Sequence, residues 1–164
     1  MRKVGEIFLA STSFLSGDVT VSPGVSLWHG ASVRGDVAPI TLGENVNIQD
    51  NAVVHCDYGV AQVVEAGVVI GHSAVLHGKH VGADTLIGIG AKLLSGSVIG
   101  AECIIGAGAV VAPGMIVPPR SVVLGLPGKV TRAVTDAELA KTRDIAFRYR
   151  ILAARYAAGE IRIW

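Results

Sequence analysis

Three of the five histidines, His55, His72 and His77, lie close together in the chain. Three imidazoles are a common ligand set for catalytic zinc, because they leave a fourth position open for water. The metal lowers the pKa of that water to about 7, which yields hydroxide at neutral pH. The three histidines therefore predict a metal site that activates water, whereas His29 and His80 are interpreted as ordinary polar residues.

The spacing of these histidines limits how one metal ion could hold them all. His55 follows the aliphatic Val54 and His77 follows Leu76, so both rings should point away from the interior. The five positions from His72 to His77 span about 17 Å at most, and a corner is expected between them. One chain would therefore struggle to wrap all three rings around one ion. We predict a homotrimer with a metal at each subunit interface, because a closed ring makes such sites equivalent.

Polar residues that could support a metal site stand upstream of the histidines. They form two short strings, Arg34-Gly35-Asp36 and Asn47-Ile48-Gln49-Asp50. Amide and carboxylate side chains orient metal ligands and the attacking water by hydrogen bonds. We expect both strings to lie in the layer of structure next to His55.

The element that must position these residues is a six-residue repeat. A six-residue period fits neither an amphipathic helix nor an alternating strand, but it fits a short strand followed by a corner. Three such units make one triangular coil, and the coils stack about 4.8 Å apart. The inward aliphatic anchors are Leu9, Leu15, Val21, Leu27, Val33, Leu42, Ile48, Val54, Ile70, Leu76, Val81, Ile87, Leu93, Ile99, Ile105, Val111, Val117 and Val123.

Three irregular steps interrupt the repeat, all in the region that holds the histidines. In solenoids, insertions leave the coil at a corner and often build the binding site. The steps are Val33 to Leu42, with three extra residues near Ala38-Pro39; Val54 to Ile70, with ten extra within Cys56 to Gly67; and Leu76 to Val81, one residue short.

The C-terminal part of the chain predicts a helix. Thr135 and Glu138 form a capping box, and the helix should run to about Ala158, with Gly159 as its stop. We expect a β-helix over residues 1–130 and a helix packed along it within 131–164, as one structural domain. The basic face of this helix is interpreted as solvated, with a nucleic-acid surface as the less favoured alternative.

Composition excludes several classes of protein. The chain has 21 Gly, 51% hydrophobic, 5% aromatic and 16% charged residues, with a net charge of +1, so no nucleic-acid or anionic membrane partner is expected. The longest stretch without a charge or His, Cys103 to Pro119, is too short and too rich in Gly and Pro to span a bilayer. Two isolated cysteines and no secretory leader predict a cytoplasmic protein.

The ordered motifs resemble the γ-class carbonic anhydrase family. The matching strings are Arg34-Gly35-Asp36, Asn47-Ile48-Gln49-Asp50, His55, Gly71-His72-Ser73-Ala74-Val75-Leu76-His77-Gly78 and Leu124-Gly125-Leu126-Pro127-Gly128-Lys129-Val130. The resemblance implies an all-β solenoid, a left-handed parallel β-helix of hexapeptide repeats. It also implies a lyase that hydrates CO₂ reversibly to bicarbonate by a zinc-bound hydroxide at trimer interfaces, with Fe²⁺ as an alternative metal.

The resemblance also assigns roles to individual residues. They are metal ligation by His55 and His77 of one subunit and His72 of its neighbour, a hydrogen bond from Gln49 to the hydroxide, an ion pair between Arg34 and Asp50 across the interface, and supporting positions at Asp36 and Asn47.

The chain departs from the family's prototype at the proton-transfer step. Prototype members carry a glutamate where this chain has Val37, and an acid-rich loop where this chain offers only Asp57 and Glu65. Two alternatives therefore stay open. One is a metal-binding trimeric scaffold with weak or no catalysis. The other is a hexapeptide acyltransferase, which would use one histidine as a base and would not need the full set of polar residues.

Overall fold

The chain forms a β-solenoid of about six turns with one C-terminal helix, as seen in a computed structural model that describes residues 1–162. The predicted left-handed parallel β-helix of hexapeptide repeats is thus confirmed. The elements are β1 (Arg2–Val4), β2 (Ile7–Leu9), β3 (Phe14–Val21), β4 (Ser26–Leu27), β5 (Ser32–Leu42), β6 (Asn47–Ile48), β7 (Val53–His55), β8 (Gln62–Val64), β9 (Val69–Ile70), β10 (Val75–Leu76), β11 (His80–Val81), β12 (Leu86–Ile87), β13 (Lys92–Leu93), β14 (Val98–Ile99), β15 (Ile104–Ile105), β16 (Val110–Val111), β17 (Ile116–Val117), β18 (Ser121–Leu124), β19 (Lys129–Ala133) and α1 (Asp136–Ala157).

The strands build three faces of a prism. Face A consists of β2, β4, β6, β9, β12, β15 and β18, with β1 and β19 at its ends. Face B consists of β7, β10, β13 and β16, together with the first halves of β3 and β5. Face C consists of β8, β11, β14 and β17, together with the second halves of β3 and β5. Within each face the coils pair in parallel, except at the two terminal strands. A residue therefore lies beside its equivalent in the next coil.

The aliphatic anchors fill the inside of the prism. Every anchor from Leu27 to Val123 is buried, whereas Leu9, Leu15 and Val21, in the first coil, are half-buried because no coil covers them on one side. The small residues at the corners are buried as well, including Cys103. Cys56 is also buried, and its Sγ lies 3.4 Å from the carbonyl oxygen of Ala38.

One of the three irregular steps differs from the prediction. The three extra residues after Val33 form a bulge, since the pairing of β3 with β5 jumps from Gly17↔Gly35 to Val19↔Ile40. The long insertion is shorter than predicted, because Val64 is itself an inward anchor that pairs with Leu42 and Val81. The ten positions from Val54 to Val64 thus exceed the repeat by four, and the assignment of ten extra residues was wrong.

The C-terminal helix packs along face A. Its capping box forms as predicted, with Thr135 accepting from the Glu138 amide and Glu138 accepting from the Thr135 amide. Trp28 contacts Tyr149 and Tyr156 edge-to-face at centroid distances of 5.1 and 5.5 Å. Such contacts and the burial of apolar area fix the helix on the face.

The basic side of the helix is partly occupied by contacts with the solenoid. Arg143 donates to Asp84 at 2.8 Å and to Glu102 at 3.0 Å, two carboxylates that stack at one corner in successive coils. The cation thereby neutralises two like charges held close together. The last two residues of the predicted segment 131–164 lie outside the described residues. None of the helical structure within residues 1–162 has the length and apolarity that crossing a bilayer requires.

Replacement of a central anchor should destabilise the solenoid. Leu93 is fully buried and pairs with Leu76 and Val111 in the coils on either side, so Leu93→Ala should lower the free energy of unfolding by about 2–5 kcal/mol. The adjacent outward residue supplies the control, since Lys92→Ala should change it by less than about 0.5 kcal/mol. Chemical denaturation at fixed protein concentration measures both. Equal effects of the two substitutions would contradict the inward register.

Candidate metal centre

His55 and His77 lie side by side because their strands stack in register. Arg34, His55 and His77 each occupy the same outward position in three successive coils, as the pairing of Arg34 with His55 and of Leu76 with Val54 shows. The two imidazole rings lie 5.2 Å apart between centroids. These rings stand at the corner that joins face B to face C.

The bulge in β5 brings a carboxylate to His55. Asp36 Oδ1 accepts from His55 Nε2 at 3.0 Å, and Asp36 Oδ2 pairs with the guanidinium of Arg34. Partial desolvation raises the pKa of Asp36, but the hydrogen bonds from His55 and Arg34 outweigh it, so the pKa lies below its ordinary value. Asp36 is therefore a stable anion that holds the His55 ring by its Nε2 hydrogen.

A second carboxylate holds His77 in the same way. Asp57 Oδ1 lies 3.0 Å from His77 Nε2 and also accepts from Ser95 Oγ at 3.0 Å. Because a carboxylate only accepts hydrogen bonds, Nε2 carries the hydrogen in both contacts, and the neutral ring then has its lone pair on Nδ1. We define the His55–His77 half-site as Arg34, Asp36, His55, Asp57 and His77.

His72 stands at a different corner, between face A and face B. Asp50 lies one coil earlier, and its Oδ2 is 3.0 Å from His72 Nδ1. The hydroxyl of Tyr149, from helix α1, lies 3.2 Å from His72 Nε2. Burial, followed by the charge of Asp50, raises the pKa of Tyr149, so its hydroxyl stays protonated beside Nε2.

A chain of buried amides continues from this corner along face A. Gln49 Nε2 donates to Asn47 Oδ1 at 3.1 Å, and Asn47 Nδ2 donates to Ser26 Oγ at 2.9 Å. Trp28 Nε1 donates to the same Ser26 oxygen at 3.3 Å. The chain fixes the orientation of the Gln49 amide and leaves its Oε1 able to accept. We define the His72 half-site as Asn47, Gln49, Asp50, His72 and Tyr149.

An open cavity of about 460 Å³ adjoins the His72 half-site. Its floor is a column of glycines in successive coils, Gly71, Gly88 and Gly106, where a Cβ would meet backbone or side-chain atoms at 2.8 Å or less. Gln49, His72 and Tyr149 supply the polar groups of the wall, and the rest of the wall is mostly apolar. The cavity can therefore admit a small apolar molecule beside the polar end of the half-site.

The eight residues predicted for the site thus divide into two half-sites. Face B lies between them, with the His55–His77 half-site at one edge and the His72 half-site at the other. Within residues 1–162, no three His, Cys, Asp or Glu side chains are arranged to hold one metal ion. The donor chemistry nevertheless fits a zinc-type ion, because each of the three imidazoles has a carboxylate at one ring nitrogen and leaves the other for the metal. In His72 this other nitrogen, Nε2, lies against the Tyr149 hydroxyl, a contact that a metal would replace.

Two residues that contact the half-sites carry no signal in the sequence, and one residue named in the sequence analysis lies away from both half-sites. Tyr149 lies in the C-terminal helix, far from the histidines in sequence, and Ser95 stands in the regular repeat, so neither carries a local signal. Glu65, one of the two carboxylates that the insertion offers in place of an acid-rich loop, contacts His80 at 3.0 Å and the Ala83 amide at 2.8 Å, at the corner that follows face C. Asp57 alone of that pair contacts a site histidine.

Comparison with known proteins supports both the repeat and the motif. The family described as "Bacterial transferase hexapeptide (six repeats)" matches residues 78–113. Among solved structures, a hexapeptide transferase family protein from Anaplasma phagocytophilum superimposes with a TM-score of 0.81 and 32% sequence identity, over 92% of each chain. The family model thus covers part of the solenoid, and the solved structure covers nearly the whole chain.

Similar curated proteins identify the family more narrowly than the repeat does. A protein of Methanocaldococcus jannaschii named "Probable carbonic anhydrase" is 47% identical over 86% of this chain and 89% of its own. The Arabidopsis thaliana protein named "Gamma carbonic anhydrase 1, mitochondrial" is 38% identical over 93% of this chain, which spans 58% of the plant protein. With identity at this level over nearly the whole solenoid and helix, the chain belongs to the γ-carbonic anhydrase family.

Proposed function

We propose that the protein catalyses the reversible hydration of CO₂ to bicarbonate at three metal sites, each built between two subunits of a homotrimer. The observation that carries the proposal is the division of the three histidines between the two edges of face B. A head-to-tail ring of three copies brings one edge of each subunit to the opposite edge of the next. Each contact then joins His55 and His77 of one copy with His72 of another.

The chain's own residues would perform most of the work at such a site. Zn²⁺, or Fe²⁺ in its place, would be held by the three imidazoles and would supply the Lewis acidity that ionises water near neutral pH. Asp36, Asp50 and Asp57 hold the rings through their other nitrogens. Gln49, fixed by Asn47, offers its Oε1 to a reacting hydroxyl group. The apolar wall of the cavity suits CO₂, which carries no net charge.

Arg34 and Asp50 have a second role in this assembly. Arg34 is half-exposed at one edge of face B and Asp50 lies at the other, with their partners within the chain being Asp36 and His72. In the proposed ring the two side chains meet across the interface as an ion pair. This pair would orient the two half-sites relative to one another before a metal binds.

The metal requirement is tested on wild-type protein purified without oxygen, since Fe²⁺ is lost in air. We expect about one divalent ion per subunit by elemental analysis and rapid CO₂ hydration by stopped flow. His77→Ala should lose most of both, because a ligand is removed. His29→Ala is the matched control, since His29 contacts Thr12 rather than the half-sites.

Each outcome separates the alternatives. Wild-type protein without stoichiometric metal would overturn the metal site and favour the acyltransferase. Metal with a hydration rate no faster than that of His77→Ala would favour the scaffold.

The shared architecture is tested by mixing two inactive variants. His72→Ala keeps an intact His55–His77 half-site, and His77→Ala keeps an intact His72. Random trimers of equal amounts should therefore regain about a quarter of the wild-type sites, because each mixed trimer contains one intact interface. Metal content and CO₂ hydration after subunit exchange measure the recovery.

The control mixture combines His55→Ala with His77→Ala. Both substitutions lie in the same half-site, so no interface in any trimer is intact, and no recovery is expected. Recovery in this control, or its absence in the first mixture, would show that the three histidines are not divided between subunits.

A further inference from the structure

Two side chains of the insertion between Val54 and Val64 converge on His77 from different directions. Gln62 lies inside the prism, 1% exposed, and its Nε2 donates to the Gly78 carbonyl at 2.7 Å and toward the Leu76 carbonyl at 3.4 Å. These carbonyls belong to the residues on either side of His77. The amide therefore binds the backbone that carries this ring.

This backbone segment is the one place where the coil is too short. The step from Leu76 to Val81 has five positions instead of six, and it contains Gly78, which has no side chain to fill the interior. A Cβ on Gly78 would lie 2.4 Å from Ser97 Oγ, so the corner must pass close to the next coil. The Gln62 amide lies directly beneath this shortened corner.

The amide at position 62 departs from the aliphatic pattern of the neighbouring coil. In the preceding coil the paired residue is Ile40, a fully buried aliphatic side chain. Gln62 Oε1 has no hydrogen-bond partner among the described residues, and a buried amide oxygen without a partner costs free energy. An aliphatic residue would avoid that cost but would remove the donor from the Gly78 carbonyl. Departures of this kind from the local pattern are expected where function requires them.

The ring of His77 is held from the other side by Asp57. The carboxylate bonds His77 Nε2 and also accepts from Ser95, which follows β13 in the next coil. Asp57 thereby ties the ring to a coil that carries no other member of the half-site. The position of the ring is thus determined twice, through its backbone and through its nitrogen.

We propose that the insertion is a clamp that positions His77, with Gln62 fixing the backbone and Asp57 fixing the ring. This inference rests on the proposed function, in which His77 is a metal ligand. Both are positioning residues, because each acts through His77. The insertion then serves to strengthen metal binding, and this role does not depend on which group transfers protons.

The clamp is tested by replacing the amide with an apolar side chain of similar length. Gln62→Met should keep the trimer and weaken Co²⁺ or Zn²⁺ binding by about 10-fold or more, as loss of a supporting hydrogen bond does in other metal sites. The Co²⁺ absorption spectrum should change too, since the ligand ring is less well placed. Metal affinity is measured by competition with a chromophoric chelator.

Thr85→Val is the matched control. Thr85 is fully buried, donates to the Gly100 carbonyl at 3.1 Å and stands at a corner without a site histidine. It should lower stability at least as much as Gln62→Met and leave Co²⁺ affinity and spectrum unchanged. Equal loss of metal in both variants would show that a loosened solenoid is responsible, and the clamp would be wrong.

Asp57 keeps the test decisive if Gln62→Met does not fold. Its side chain is half-exposed, so Asp57→Ala should fold and bind Co²⁺ about 10-fold more weakly, while Asp57→Asn, which retains an oxygen acceptor, should recover part of the loss. Wild-type affinity in Asp57→Ala or in a folded Gln62→Met would overturn the clamp. Failure of the wild type to bind metal would instead overturn the proposed function.

Discussion

The parallel hydrogen-bonded stacking of coils is the constraint on which the whole molecule depends. It makes every coil repeat the position of the one before, so residues about twenty positions apart become neighbours at a corner. His55 and His77 are adjacent for this reason, as are Asp50 and His72. Burial of the aliphatic anchors supplies free energy of folding, and one aliphatic anchor can serve as well as another. The register of the coils determines which outward side chains become neighbours.

The polar groups of the site arise where this regularity is broken. The bulge in β5 places Asp36 against His55. The insertion before β8 places Asp57 against the His77 ring, and Gln62, the first residue of β8, binds the backbone beside that ring. A regular repeat has room only for small residues at its corners and aliphatic residues inside. Extra or missing residues release the backbone from this pattern, so carboxylates and an amide can reach the rings. The rest of the stack stays rigid and holds these irregular segments in place.

One face of the prism separates His72 from His55 and His77. The proposed metal site therefore depends on the contact between two chains. Short side chains at two different corners cannot meet within one chain, whereas two chains in contact along face B bring them together. Helix α1 also contributes to the His72 half-site. Trp28 packs edge-to-face on Tyr149, whose hydroxyl bonds His72, so the docking of α1 reaches the His72 half-site directly.

The amino-acid sequence alone determined the solenoid, because an aliphatic residue every six positions can be buried only by stacked coils. It also determined the capping box of α1 and the concentration of chemistry between Arg34 and His77, because histidines and carboxylates stand out against an aliphatic repeat. The tertiary structure decided which residues meet. Val64 lies six positions before Ile70 and so extends the period backwards, but only its pairing with Leu42 and Val81 identifies it as an anchor beyond the insertion. Asp57, Gln62 and Tyr149 act through contacts made across coils or from the helix, and such contacts depend on the register of stacking, which no local pattern of residues contains.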